Sequence, residues 1–231
     1  MIASNRLRLW LGQWCLCALA VCAVDSAAAA SLTVAVDGAG ERLEGAVVSL
    51  HSAAARAAIR PMSAEMDQRQ AEFVPHVLPV TIGSRVRFPN SDNFRHQVYS
   101  FSPAQRFELP LYSGRQAQPV VFDTPGVVEL GCNIHDWMLG YVIVLDTPYF
   151  ATTGADGDAR IEAPAGDYTL QVWHERLEDG PGARVTRRVH VGAPRIERVT
   201  LELEAARAPP QPADARLRHL QERFRSLKRG G

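Results

Sequence analysis

Three side chains with an affinity for soft metal ions stand three residues apart in Gly131-Cys132-Asn133-Ile134-His135-Asp136-Trp137-Met138. A thiol, an imidazole and a thioether in Cys-x2-His-x2-Met spacing converge on one point only if a short loop is held by a rigid frame. A further imidazole, His96, lies upstream in Phe88-Pro-Asn-Ser-Asp-Asn-Phe-Arg-His96-Gln-Val-Tyr. The fold therefore has to bring two separate loops together.

The surrounding pattern supplies such a frame. Leu32–Val36, Ala46–Leu50, Val77–Ile82, Val86–Phe88, Gln97–Phe101, Pro119–Phe122, Val127–Leu130 and Tyr141–Leu145 are short apolar or alternating runs separated by Gly, Pro, Asp and Asn, and they predict strands. Pro79 assigns its strand to an edge or an irregularity, because proline donates no ladder hydrogen bond. Residues 53–70 show no clear period and read as a loop or a short helix. Many short strands with repeated turn signals predict an all-β chain built from sandwiches. Cys132 then falls at a strand end, His135 and Met138 in the following loop, and His96 in a different loop.

Two histidines and a cysteine in a trigonal plane with a weak axial methionine form the ligand set of a blue-copper electron-transfer site. Zinc also suits thiolate and imidazole, but it has no use for Met138. At these residues the sequence resembles the cupredoxins, and most closely their amicyanin and plastocyanin-like group, which closes its site with a short Cys-x-x-His-x-x-Met loop. The run Asn90, Asp92, His96 is similar to the segment leading to that family's first histidine. The wider stretch from about Met66 to Asp146, with Val98-Tyr-Ser-Phe and Phe107-Glu-Leu-Pro-Leu, looks like proteins labelled methylamine utilization protein. The resemblance implies a Greek-key β-sandwich over 61–146 that binds one type 1 copper through His96, Cys132, His135 and Met138. Trp137 is expected to shield the site from water or simply to pack in the core, and Asn90 and Asp92 are expected to pin the loop carrying His96. Gln97 stands where the family often has asparagine, which leaves the hydrogen bonding behind the ligands open.

The N-terminus reads as targeting. Arg6 and Arg8 precede the uncharged run Leu9–Val24, and Ala28-Ala29-Ala30 is a cleavage-site pattern, so 1–30 is expected to be a signal peptide removed on export to the periplasm. Of four cysteines, Cys15, Cys17 and Cys22 then leave, and Cys132 stays as a lone thiol in an oxidising compartment, a position that metal ligation explains. With 25 basic and 25 acidic residues, no global field favours nucleic acid or a membrane surface.

A second module occupies 147–204. Its Gly154-Ala-Asp-Gly157 turn and its Pro164-Ala-Gly166-Asp-Tyr168 hairpin resemble the carboxypeptidase-regulatory, transthyretin-like β-sandwiches. The opening strands in 31–60 either complete this module, with the copper domain inserted between, or begin the copper domain itself; the first layout is favoured. The last segment, 205–231, opens as a Pro-rich linker and continues with Leu217, Leu220, Phe224 and Leu227 at helical spacing among arginines. It reads as a terminal helix more than as a membrane or partner contact.

Met66, His76 and His174 are each available to a second, weaker copper site, although no ligand spacing supports one; a hydrogen-bonded histidine is the plainer expectation. Glu129 and Asp136 flank the ligand loop as substitutes for Met138. No Gly-x-Ser-x-Gly elbow, His-Glu-x-x-His or phosphate loop is present, and His51, His190 and His219 are scattered, so no enzyme is expected. The expected function is single-electron transfer with a redox protein as donor and acceptor, such as a c-type cytochrome or a periplasmic oxidoreductase. Copper storage or delivery, and a purely structural metal, are the rival readings.

Overall fold

The structure, a computed structural model, describes residues 29–114 and 118–205. The expected signal peptide, apart from Ala29 and Ala30, and the helical tail expected beyond residue 205 lie outside the described residues. The described chain is all-β apart from one short helix, Ala53–Ala57, and no described helix is long and apolar enough to cross a membrane.

The middle of the chain builds two facing sheets. One has five strands in the order Phe107–Tyr112, His96–Ser100, Gly126–Gly131, Leu139–Leu145, Val77–Thr81. The other has three, in the order Val120–Phe122, Ser84–Arg87, Ser63–Glu65. Alternation along each strand sends Val80, Val98, Val128, Leu130, Val142 and Val144 from the first sheet to meet Val86 and Phe122 from the second, all essentially inaccessible. Cys132 and Met138 belong to this same apolar cluster.

The first and last of the described residues build the other sandwich. The strand Ala29–Gly38 pairs antiparallel with Asp158–Pro164 and parallel with Arg195–Leu201. It begins two residues ahead of the expected mature start at Ser31. Val47–His51 lies between Phe150–Thr152 and Gly166–Trp173 in the opposing sheet. Thus the opening strands pair with the closing segment and share its core, in which Leu32, Val34, Val48, Leu50, Ile161 and Leu170 interlock. At the hairpin joining Asp158–Pro164 to Gly166–Trp173, the Tyr168 hydroxyl donates to the Pro164 carbonyl at 2.9 Å.

One strand joins the two bodies. In Leu139–Leu145 the even residues Val142 and Val144 enter the middle core, while Tyr141, Ile143 and Leu145 face Val47 and Trp173 of the end sandwich. Burial on both faces is why this strand reads as a continuous apolar run rather than an alternation. The Tyr141 and Trp173 rings meet edge-on at 5.3 Å, and the Trp173 indole N–H donates to the Pro181 carbonyl at 2.8 Å.

Two stretches differ from the sequence expectation. Beyond its short helix, the aperiodic segment 53–70 contributes Ser63–Glu65 and Asp67–Arg69. Ser63–Glu65 is set by parallel pairing with Ser84–Arg87, a non-local partner that no local pattern announces. Asp67–Arg69 forms a hairpin with Glu72–Val74 through Gln70 and Ala71, both at positive φ (54° and 57°) without the Gly or Asn that normally marks such a turn. Phe107–Tyr112 is an edge strand whose register shifts between Leu109 and Tyr112, at its proline, which hid it from a periodicity argument. Pro79 sits on an edge strand, as its chemistry requires.

A polar contact also crosses between the bodies. His76 Nε2 lies 2.8 Å from a Glu175 carboxylate oxygen. That hydrogen bond raises the His76 pKa above its ordinary 6.5 against the opposing effect of burial, and the same bond holds Glu175 below 4.5. A raised histidine pKa stabilises fully below 6.5 and loses its effect as pH rises through the raised value; a depressed glutamate stabilises above 4.5 and fails as pH falls through its lower value. The pair is therefore strongest between 4.5 and 6.5. Because His76 is 47 % exposed, its contribution is that of a screened surface pair, about 0.2–1 kcal/mol. His76→Gln is expected to flatten the decline of metal-free melting temperature that the parent shows as pH rises above 6.5, followed by circular dichroism.

Candidate metal centre

The ligand loop is two consecutive turns closed by the strands on either side. Gly131 ends one strand and Leu139 opens the next, and these two residues face each other in the antiparallel register. Between them the His135 amide donates to the Cys132 carbonyl at 3.4 Å, and the Met138 amide to the His135 carbonyl at 2.9 Å. Each turn advances the chain by three residues, so the Cys-x2-His-x2-Met spacing places a metal-binding side chain at every turn junction. His96 opens the strand His96–Ser100, which lies beside Gly126–Gly131 through the Tyr99–Gly131 pair.

Three of the four expected ligands converge. Cys132 Sγ lies 3.9 Å from His96 Nδ1 and 3.8 Å from His135 Nδ1, and the three donor atoms lie within 4.8 Å of one another. With metal–nitrogen and metal–sulfur bonds of about 2.0 and 2.3 Å, one bound ion separates nitrogen from sulfur by about 3.5–3.7 Å, close to the distances found. The donor set and its spacing fit a soft-ligated first-row ion. Met138 is 3 % exposed and packs in the cluster that contains Cys132.

Burial divides the site. His96 is wholly inaccessible and Cys132 nearly so, while His135 is partly exposed within a ring of Phe94, Ile134 and Trp137. Phe94 and Trp137 stand 5.5 and 5.2 Å from the His135 ring, and Phe94 is 4.9 Å from that of His96. Burial, followed by the neighbouring His96, pushes the His135 pKa down, which favours the neutral ring that a metal requires.

The support behind His96 is carboxylate-based. Asp92 Oδ2 lies 2.7 Å from His96 Nε2, which assigns the ring proton to Nε2 and leaves the Nδ1 lone pair facing Cys132. Asp92 also accepts the amides of Gln70 at 2.7 Å and Ala71 at 3.0 Å, the two left-handed residues of the hairpin tip. Burial alone would raise the Asp92 pKa, but the hydrogen bonds from Ala71, His96 and Gln70 outweigh it and hold the carboxyl below its ordinary 3.8. Asn90, 4 % exposed, donates to the Phe94 and Tyr112 carbonyls at 2.9 and 3.0 Å and accepts the Asp92 amide at 3.0 Å. Gln97 instead turns outward to Glu108 at 2.6 Å.

The remaining candidates lie elsewhere. His76 is engaged by Glu175 and the Leu139 carbonyl. His174 accepts the Arg176 amide at 3.2 Å and meets the Glu44 carbonyl, so both rings are occupied within the protein. Met66 is fully buried in the middle core. Glu129 alternates outward between buried Val128 and Leu130, and Asp136 is exposed. Sequence reasoning also missed a Ser49–His51–Asp146 chain, with Ser49 Oγ 2.8 Å from His51 Nε2 and His51 Nδ1 2.7 Å from Asp146. The order resembles that of a nucleophilic triad, but Ser49 is only 2 % exposed, leaving its hydroxyl no route to a substrate. Only the i, i+2 spacing of Ser49 and His51 hinted at it.

No protein-family model matches the chain, and no curated protein does. Solved structures do. A purple cupredoxin from Nitrosopumilus maritimus is 23% identical over 36% of this chain and 99% of its own, with a TM-score of 0.33. A copper-containing nitrite reductase from Thermus scotoductus SA-01 is 24% identical over 38% of this chain and 23% of its own, with a TM-score of 0.35. A reduced amicyanin variant is 22% identical over 42% of this chain and 98% of its own, at 0.33.

Because the buried Asn90 side chain donates to two part-buried carbonyls at once, Asn90→Ala is expected to lower stability by about 1–3 kcal/mol, measured by urea unfolding of metal-free protein. Asn90→Asp, which keeps the oxygen but loses the amide donors, should recover little of that loss.

Proposed function

We propose that this protein is a secreted cupredoxin that holds one type 1 copper and passes single electrons between redox proteins of the periplasm. The observation that supports the reading is a buried sulfur, Cys132 Sγ, at 3.8 and 3.9 Å from two imidazole Nδ1 atoms, close enough for one ion to be held by all three. Copper bound there would supply a one-electron couple. His96, Cys132 and His135 would hold it, with Met138 as the weak axial ligand.

The protein's part is to keep the ligands still and dry. Cys132 and Met138 follow and precede strands locked in one antiparallel ladder, and Asp92 fixes the face that His96 presents. A frame that holds the same donors for both charge states lowers the rearrangement that electron transfer requires. His135 is the ligand that reaches the surface, and the apolar ring of Phe94, Ile134 and Trp137 around it suits a transient redox partner such as a c-type cytochrome or periplasmic oxidoreductase. The end sandwich, with its carboxypeptidase-regulatory-like turn and hairpin, serves as scaffold or as part of the docking face. Export through the 1–30 leader accounts for the compartment.

The test is to load the protein with Cu(II) and record its visible and EPR spectra beside those of Cys132→Ser. The expected result is one copper per chain, an intense thiolate-to-copper band and narrow copper hyperfine splitting, all lost in the variant. Copper bound without that band, and surrendered as Cu(I) to a mild chelator, contradicts electron transfer and supports storage or delivery instead.

A further inference from the structure

The group behind His96 is a full negative charge. A neutral carbonyl would be enough to orient the ring, yet here a carboxylate does so, and its placement is built. Asp92 stands four residues before His96, its side chain 11 % exposed, with its Oδ2 2.7 Å from Nε2 of an imidazole that is itself wholly buried. Its remaining capacity is taken by the Gln70 and Ala71 amides, donated from a hairpin tip held in the left-handed region. Its own amide is fixed on Asn90. No described basic side chain forms an ion pair with Asp92; the only ionisable group paired with it is His96. Its charge therefore acts through the ligand ring rather than being cancelled by an arginine.

We propose that Asp92 is a positioning residue whose charge sets the reduction potential of this centre, favouring Cu(II) over Cu(I). This rests on the copper reading above. A fixed anion hydrogen-bonded to a wholly buried ring is screened less than a charge on the open surface. It stabilises the more positive oxidation state more than the less positive one, and by drawing on the Nε2 proton it makes Nδ1 a stronger donor. Reduction adds one electron from a protein partner to Cu(II), giving Cu(I); Asp92 keeps its bonds throughout. The centre is thereby tuned toward the low end of what its four ligands would otherwise give, and so toward a donor of electrons to higher-potential partners.

The experiment is voltammetry of copper-loaded protein, with the thiolate-to-copper band recorded on each sample. Asp92→Asn keeps the size and an oxygen able to accept the Nε2 proton but removes the charge. It is expected to retain the band and to shift the Cu(II)/Cu(I) equilibrium about tenfold toward Cu(I), a rise of about 59 mV for one electron. Asp92→Glu keeps the charge and should stay closer to the parent potential. Glu129→Gln, which removes an exposed carboxylate from the outer face of the neighbouring strand, should leave the potential where it was. An Asp92→Asn protein with the band intact and the parent potential overturns the proposal, as does a shift of equal size in Glu129→Gln. In metal-free protein, nitrogen-resolved imidazole NMR is expected to show the His96 proton on Nε2; a neutral ring protonated on Nδ1 overturns it even if the Asn variant fails to fold. A parent protein that shows no band at all marks the failure of the copper reading instead.

Discussion

The structure depends on a strand that has no solvent face. Leu139–Leu145 closes the ligand loop at one end, runs through the middle sheet, and presents Tyr141, Ile143 and Leu145 to the end sandwich while Val142 and Val144 fill the middle core. Moving such a strand by one residue would exchange the side chains of the two cores and disrupt the packing of both, so its register is held from two sides. Gly131 and Leu139 are paired across the ladder. The loop between them inherits that rigidity, and with it the positions of Cys132, His135 and Met138.

His96 is held differently. Its strand pairs with Gly126–Gly131 only at Tyr99 and Gly131, and little of its placement comes from the ladder on that side. Polar bonds take over: Asn90 ties the preceding loop to Phe94 and Tyr112, and Asp92 fixes the ring itself. Buried networks of this kind specify geometry well when every member is satisfied, and fail as a unit when one is not. The outlying hairpin Asp67–Val74 finds a purpose here, because its strained tip supplies two of the hydrogen bonds that hold Asp92.

Much of this was legible in the sequence, for identifiable reasons. The ligand loop is local, its three-residue spacing follows from turn geometry, and its residue types have few other uses in combination. The continuous run Tyr141–Leu145 marked a strand, though only the structure gives the reason, which is burial on both faces. What stayed hidden was non-local. The strand Ser63–Glu65 exists through its pairing with Ser84–Arg87. The turn at Gln70 and Ala71 carries no glycine or asparagine, because its amides are stabilised by Asp92, 21 residues further on. Sequence singled out Asn90 and Asp92 as a pair pinning one loop; the structure separates them, with Asn90 holding backbone and Asp92 holding the ring. Gln97, which stands where the resembled family often has asparagine, donates to Glu108 and faces away from Cys132 and the two histidines.

The central proposal is that the frame would hold two imidazoles and a thiolate around copper in one geometry whatever the charge of the metal. X-ray absorption of the copper-loaded protein, recorded oxidised and then reduced, measures this directly. The account predicts two nitrogens and one short sulfur bond in both states, with the same coordination number and closely similar distances. Loss of an imidazole on reduction, or a two-coordinate Cu(I) site, would contradict it and mean that the protein releases copper more readily than it cycles it.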